Sequence, residues 1–253
     1  MIRTIVYRRG PLHPDRLTSL RNMGSTASGT IELVPVRRVF GSSVGTKILL
    51  GVSGLLLFGY LLIHLLGNLM VFAGQETFNH YAHALASNPL VIPAEIALLI
   101  FFAVHIYKAV TMWTANQRAR PIGYEKKRWA GHTSRKSVSS TTMIWTGLAI
   151  LFFVVIHVAH IKYGAWYEVG EPPVRDLYRT EVEVFSSFVW VAVYVVAMIL
   201  VGFHIRHGFA SAFQSLGASH PIYTKRLVVL GTILAVIIGA GFAVIPIWVY
   251  LTR

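Results

Sequence analysis

The sequence predicts an all-α integral membrane protein, a bundle of five spanning helices. Three observations carry that expectation. Of its 253 residues 55% are hydrophobic and 13% are charged, whereas soluble domains carry about 25% charged residues. The mean hydropathy is +0.59. Five stretches, at approximately 47–72, 90–113, 141–163, 184–209 and 227–251, reach the length of about 20 apolar residues that a helix needs to cross a bilayer core. Residues 45–253 therefore read as one membrane domain behind a basic segment, 1–44, with no room for a separate soluble catalytic domain.

Each element has its own signal. In the first 40 residues apolar runs are short and broken by Arg and Pro, unlike a signal peptide or a span. The stretch GSTASGT after Met23 reads as an alternative start. Span one leaves the membrane at Gly74-Gln75, and Pro93 opens span two, since proline is tolerated in a first turn but breaks an interior. Ser139, Ser140, Thr141 and Thr142 offer N-caps for span three. The connection after it, GAWYEVGEPPVRDLYRTEVE, is acidic and holds Pro172-Pro173. Gly217 suits the left-handed position that ends span four. Trp113, Trp145, Trp166 and Trp248 fall near the expected interfaces. No internal repeat stands out.

The net charge of +13 follows topology. Of 23 Lys and Arg, eight fall between Arg3 and Lys47 and seven between Arg118 and Lys136, with Arg206, Lys225 and Arg226 near the fourth connection. The other side holds Lys162, Arg175, Arg179 and Arg253. Basic residues collect on the cytoplasmic side, so the N-terminus is expected inside and the C-terminus outside. This distribution argues against nucleic acid as a partner. The absence of cysteine excludes disulfides and cysteine-ligated iron–sulfur clusters within the chain.

Four histidines lie deep in the first four spans: His64, His105, His157 and His204. Such side chains are costly in a bilayer and commonly mark function. His64 lies 17 residues beyond Lys47 and His157 lies 16 beyond Thr141, on spans that both run outward. His105 lies 13 residues before Arg118 and His204 lies 13 before Gly217, on spans that both run inward. Two pairs at two depths are expected, His64 with His157 outside and His105 with His204 inside. Two opposed imidazoles saturate a haem iron and favour electron transfer over oxygen binding. The pattern is thus what two b-type haems across the bilayer require. The competing reading is that each histidine satisfies a backbone carbonyl or a neighbouring helix.

His160 and His207 lie one turn beyond proposed ligands, as interface residues or as contacts to a propionate or a quinone. Ser42, Ser43, Lys47 and Arg206 are candidate partners of the inner haem's propionates, against the alternative of simple solvation. Gly51, Gly54, Gly59, Gly202 and Gly208 would admit a flat macrocycle or, equally, close helix packing.

The segments HLLGNLMVFAGQETFNHYAHAL from His64, AVHIYKA at 103–109, VVIHVAH at 154–160 and GFHIRHGFASAFQSLG at 202–217 resemble the di-haem cytochrome b membrane anchor of succinate dehydrogenase and fumarate reductase. The likeness is to the single-subunit, five-helix type and covers roughly residues 41 to 251. It implies a bacterial or archaeal cytoplasmic membrane and a complex with a flavoprotein carrying covalent FAD and an iron–sulfur subunit, docked on the cytoplasmic face. The basic clusters Arg37-Arg38 and Lys126-Lys127-Arg128 are candidate docking groups. The resemblance places the axial ligands on His64, His105, His157 and His204 and implies a quinone, more often menaquinone than ubiquinone. His80 and His83 are candidate quinone contacts beside the outer haem. Where menaquinol-oxidising relatives have a glutamate after helix one this chain has Ala86, so that role does not transfer; Glu76 and Glu95 are nearby candidates. The chain would not itself act on succinate. Alternatives are the cytochrome b anchor of another quinone-linked dehydrogenase, or a haem-free proton-coupled transporter whose histidines relay protons.

Overall fold

The computed structural model describes residues 41–119, 141–218 and 220–253, which belong to one compact unit. The segment before residue 41, the connection 120–140 and both expected docking clusters lie outside the described residues. Five helices are long and apolar enough to cross a bilayer, as expected for a multi-pass membrane protein. They are α1 (Ser43–Asn68, continued by a 3-10 turn, Leu69–Ala73), α3 (Val91–Arg118), α4 (Met143–Ile161), α6 (Phe188–Ser215) and α7 (Pro221–Thr252). Three smaller elements lie between them: α2 (Gln75–Ala86), a two-stranded antiparallel ribbon of β1 (Glu168–Val169) and β2 (Val174–Arg175), and α5 (Leu177–Phe185).

The helix boundaries follow local chemistry. The Ser42 hydroxyl accepts from Gly45 N at 3.0 Å and starts α1. Gly74, at φ 93°, ends the 3-10 turn, and Gly217, at φ 92°, ends α6 where a side chain would be strained. Pro221 opens α7, whose first turn needs no amide from it.

One expectation needs correction. Span four does not begin at 184: residues 177–185 form the separate helix α5, capped by Asp176, and α6 begins at Phe188 after Ser186-Ser187. The segment after Gly74 forms α2, whose Phe78 and Asn79 are buried while Glu76, His80 and His83 stay exposed.

The ribbon, α2 and α5 cap the end of the bundle where α1 and α4 finish. Asp176 joins them, accepting from Gln75 Nε2 at 2.7 Å, Asn79 Nδ2 at 2.8 Å and its own cap partner Arg179 N at 3.0 Å. Asn79 Oδ1 accepts from Tyr178 N at 2.9 Å. Every acidic side chain among the described residues lies at this capped end.

Elsewhere the bundle relies on close backbone approach. A Cβ on Gly239 of α7 would lie 3.2 Å from the Met198 carbonyl oxygen of α6, and one on Gly241 would lie 2.9 Å from Leu65 of α1. Small residues at such crossings let helices pack where lipid offers no hydrophobic drive. By contrast α3 has no fully buried residue. The core sits among α1, α6 and α7, and α3 packs more openly along α1.

Candidate functional site

The fold brings the four histidines together as two pairs. Rings of His64 and His157 have centroids 5.8 Å apart at 82°, near the capped end. Rings of His105 and His204 have centroids 6.3 Å apart at 65°, nearer the other end. All four are half-buried. Imidazoles on opposite sides of one metal ion, at about 2 Å per bond, place ring centroids roughly 6 Å apart. A separation of this size would let each pair hold one metal ion through two nitrogens, and it is equally the spacing of an edge-on ring contact. Among the described residues no three His, Cys, Asp or Glu gather as a metal site of their own.

The surroundings of the pairs differ. At the capped end His64 stacks on Tyr60 at 5.3 Å and packs against Phe242 at 5.5 Å. Asn68 Nδ2 lies 3.3 and 3.4 Å from the two His64 ring nitrogens while donating to the His64 carbonyl at 2.7 Å. His157 stacks on Phe153 at 5.8 Å, and its buried Nδ1 has no partner among the described residues. The other pair is held by hydroxyls: Ser53 Oγ lies 3.3 Å from His105 Nδ1, and Thr146 Oγ1 lies 3.2 Å from His204 Nδ1.

The neighbouring histidines have other partners. His160 Nδ1 is 3.4 Å from the Tyr194 hydroxyl, and its ring meets the edge of Trp190 at 4.3 Å. His207 Nε2 is 3.1 Å from Ser211 Oγ on its own helix. Among the described residues the ring neighbours of His160 are Trp190 and Tyr194.

The remaining sequence candidates are more dispersed. Ser42 caps α1, Ser43 is its first residue, and Lys47 and Arg206 are exposed. His80 and His83 are exposed on α2, while the neighbouring Asn79 amide is committed to Asp176 and Tyr178. Gly54 lies under the His105 ring, where a Cβ would be 3.1 Å from Cε1. Gly51 packs on the Ala212 carbonyl at 3.2 Å and Gly202 on the Ala235 carbonyl at 3.5 Å, so those two serve helix packing.

Sequence reasoning missed Ser53, Thr146 and Asn68. Their signal, a polar residue inside an apolar run, is weak because Ser and Thr in helices commonly bond their own preceding turn. It also missed Glu181 on α5, which is 3% exposed with Oε2 lacking a partner among the described residues. Burial pushes that carboxyl up to about 8.

Compared with protein-family models, curated proteins and solved structures, the chain matches none.

Proposed function

We propose that this chain is the cytochrome b membrane-anchor subunit of a succinate:quinone oxidoreductase. It would carry electrons between a partner iron–sulfur subunit and membrane quinone through two bis-histidine haems. The observation that carries this reading is the arrangement of four membrane histidines as two ring pairs at two levels, each at a separation that suits one metal ion. His64 and His157 would hold one haem b, and His105 and His204 the other. When bound, haem supplies reversible one-electron chemistry, and two imidazoles per iron leave no open position for oxygen. The chain's own work would be to orient the four rings and, at the His64/His157 pair, to keep water away with Tyr60, Phe153 and Phe242.

The basic clusters support a cytoplasmic N-terminus and an outer capped end, and the resemblance implies a bacterial or archaeal membrane. The iron–sulfur clusters would belong to a partner subunit, because this chain has no cysteine, and the FAD to a partner flavoprotein, as the resemblance implies. Menaquinone is the preferred quinone by resemblance.

Two measurements test the reading. A native complex purified through this chain is expected to contain a flavoprotein and an iron–sulfur protein. Its reduced-minus-oxidised spectrum is expected to show haem b. A chain isolated without haem would favour the proton-relay alternative. Ligand loss should also act in pairs: His64→Ala and His157→Ala remove one haem, while His105→Ala and His204→Ala remove the other. His160→Ala and His207→Ala are expected to retain both. Loss of the second haem on His207→Ala, with His204→Ala harmless, would move that ligand by one turn.

A further inference from the structure

The hydroxyl contacts of the second pair belong to a repeated device. On α1 the run SGLLLFGYLLIH ends at His64, and on α4 the run TGLAILFFVVIH ends at His157. In both, a hydroxyl residue and a glycine precede the histidine by 11 and 10 residues. In both, the hydroxyl residue faces the histidine of the next spanning helix: Ser53 meets His105 of α3, and Thr146 meets His204 of α6. The glycine beside it lies against the same ring. A Cβ on Gly54 would be 3.1 Å from His105 Cε1, and one on Gly147 would be 3.4 Å from His204 Cε1. The first two spanning helices and the next two thus carry one motif twice, a likeness that does not stand out in the sequence alone.

The protons can be placed. Ser53 Oγ donates to the Leu49 carbonyl at 2.7 Å, and Thr146 Oγ1 donates to the Met143 carbonyl at 3.1 Å. A hydroxyl has one proton, so each oxygen meets its histidine with a lone pair. With the hydroxyl proton on the helix carbonyl, the facing nitrogen would be the donor, Nδ1–H, leaving Nε2 of the neutral ring with its lone pair. Both hydroxyl residues are buried, at 3% and 6% exposure, so water does not compete for the contact.

We propose that Ser53-Gly54 and Thr146-Gly147 are matched cradles that fix His105 and His204 in the Nδ1–H tautomer, so that both rings offer Nε2 to one metal ion. The inference rests on the bis-histidine reading above and adds positioning residues to it. An acceptor on Nδ1–H makes a ligating imidazole more basic, which favours the oxidised metal. Among the described residues His64 and His157 have no such hydroxyl, so two haems held by the two pairs would differ in potential.

The test uses the full chain with two readouts. Redox titration of Ser53→Ala and Thr146→Val should raise the potential of the His105/His204 haem. The expected size is up to about tenfold in the oxidation equilibrium, or about 59 mV for one electron. The other haem should be unmoved, and Ser53→Thr and Thr146→Ser should retain the wild-type value. An unchanged potential in hydroxyl-free variants that keep both haems overturns the proposal. The second readout is the histidine side-chain 15N spectrum of the wild-type chain before haem loading, which does not depend on the variants folding. Nδ1–H on His105 and His204 supports the cradles, and Nε2–H on either overturns them. If the wild-type chain takes up no haem, the bis-histidine reading fails, and the 15N spectrum still decides the tautomers.

Discussion

Glu181 shows what a single buried group does to the whole fold. Its carboxyl is raised from 4.5 to about 8 by burial, so the folded chain keeps a proton that the unfolded chain releases. Where the folded state binds more protons, stability falls as pH rises. The loss begins above the unfolded value of 4.5 and is complete once pH passes about 8. Its slope is at most roughly 1.4 kcal/mol per pH unit. Melting in detergent at about pH 5 and about pH 8 should show this fall, and Glu181→Gln should flatten it. An equal fall in the variant would place the effect elsewhere. Residue scale also separates the two glycines under the rings. Gly54→Ala should displace His105 and lower haem occupancy more than Gly147→Ala affects His204, because the added carbon meets its ring at 3.1 rather than 3.4 Å. Haem-to-protein ratios of the two variants check this order.

Among the elements, the cap depends on one carboxylate. Asp176 is 4% exposed and accepts from α2 twice and from its own helix once. Asp176→Ala removes an N-cap and leaves buried donors unpaired, a cost of roughly 2–4 kcal/mol. A lowered melting point together with faster proteolysis in the segment 75–90 is the expected result; unchanged cleavage would mean that apolar packing of Phe78 holds α2 by itself. Between α6 and α7 the crossing tolerates no side chain at Gly239, which would meet the Met198 carbonyl at 3.2 Å. Gly239→Leu should therefore destabilise the bundle more than Gly59→Leu, where nothing lies within 4 Å. Thermal melts of both variants compare them directly.

At the scale of the molecule, the proposed orientation rests on the asymmetry of charge. The described acidic residues all lie at the capped end, and the basic clusters belong to the opposite connections. The chain has no cysteine, so single cysteines report sidedness without a background. Ser87→Cys at the capped end should react with a membrane-impermeant reagent from outside intact cells, and Ala218→Cys only after the membrane is opened. The reverse result would invert the topology and move the partner's docking face while leaving the bundle intact.

Five spans, their approximate limits and four unusual histidines were legible in the sequence, because hydrocarbon penalises polar groups residue by residue and each such penalty is local. Gly74 and Gly217 were legible as helix ends for a similar reason, since a positive φ is a property of one position. Other features were not. The break before Phe188 depends on α5 docking against α2 through Asp176, and α2 is a helix because its Phe78 and Asn79 find a surface to bury against. The spacing of the histidine rings, and the choice of Ser53 and Thr146 to face them, are decided by where α3 and α6 cross α1 and α4. A hydroxyl inside an apolar run reads the same whether it bonds only its own turn or also holds a histidine from another helix. Only the tertiary contact distinguishes the two.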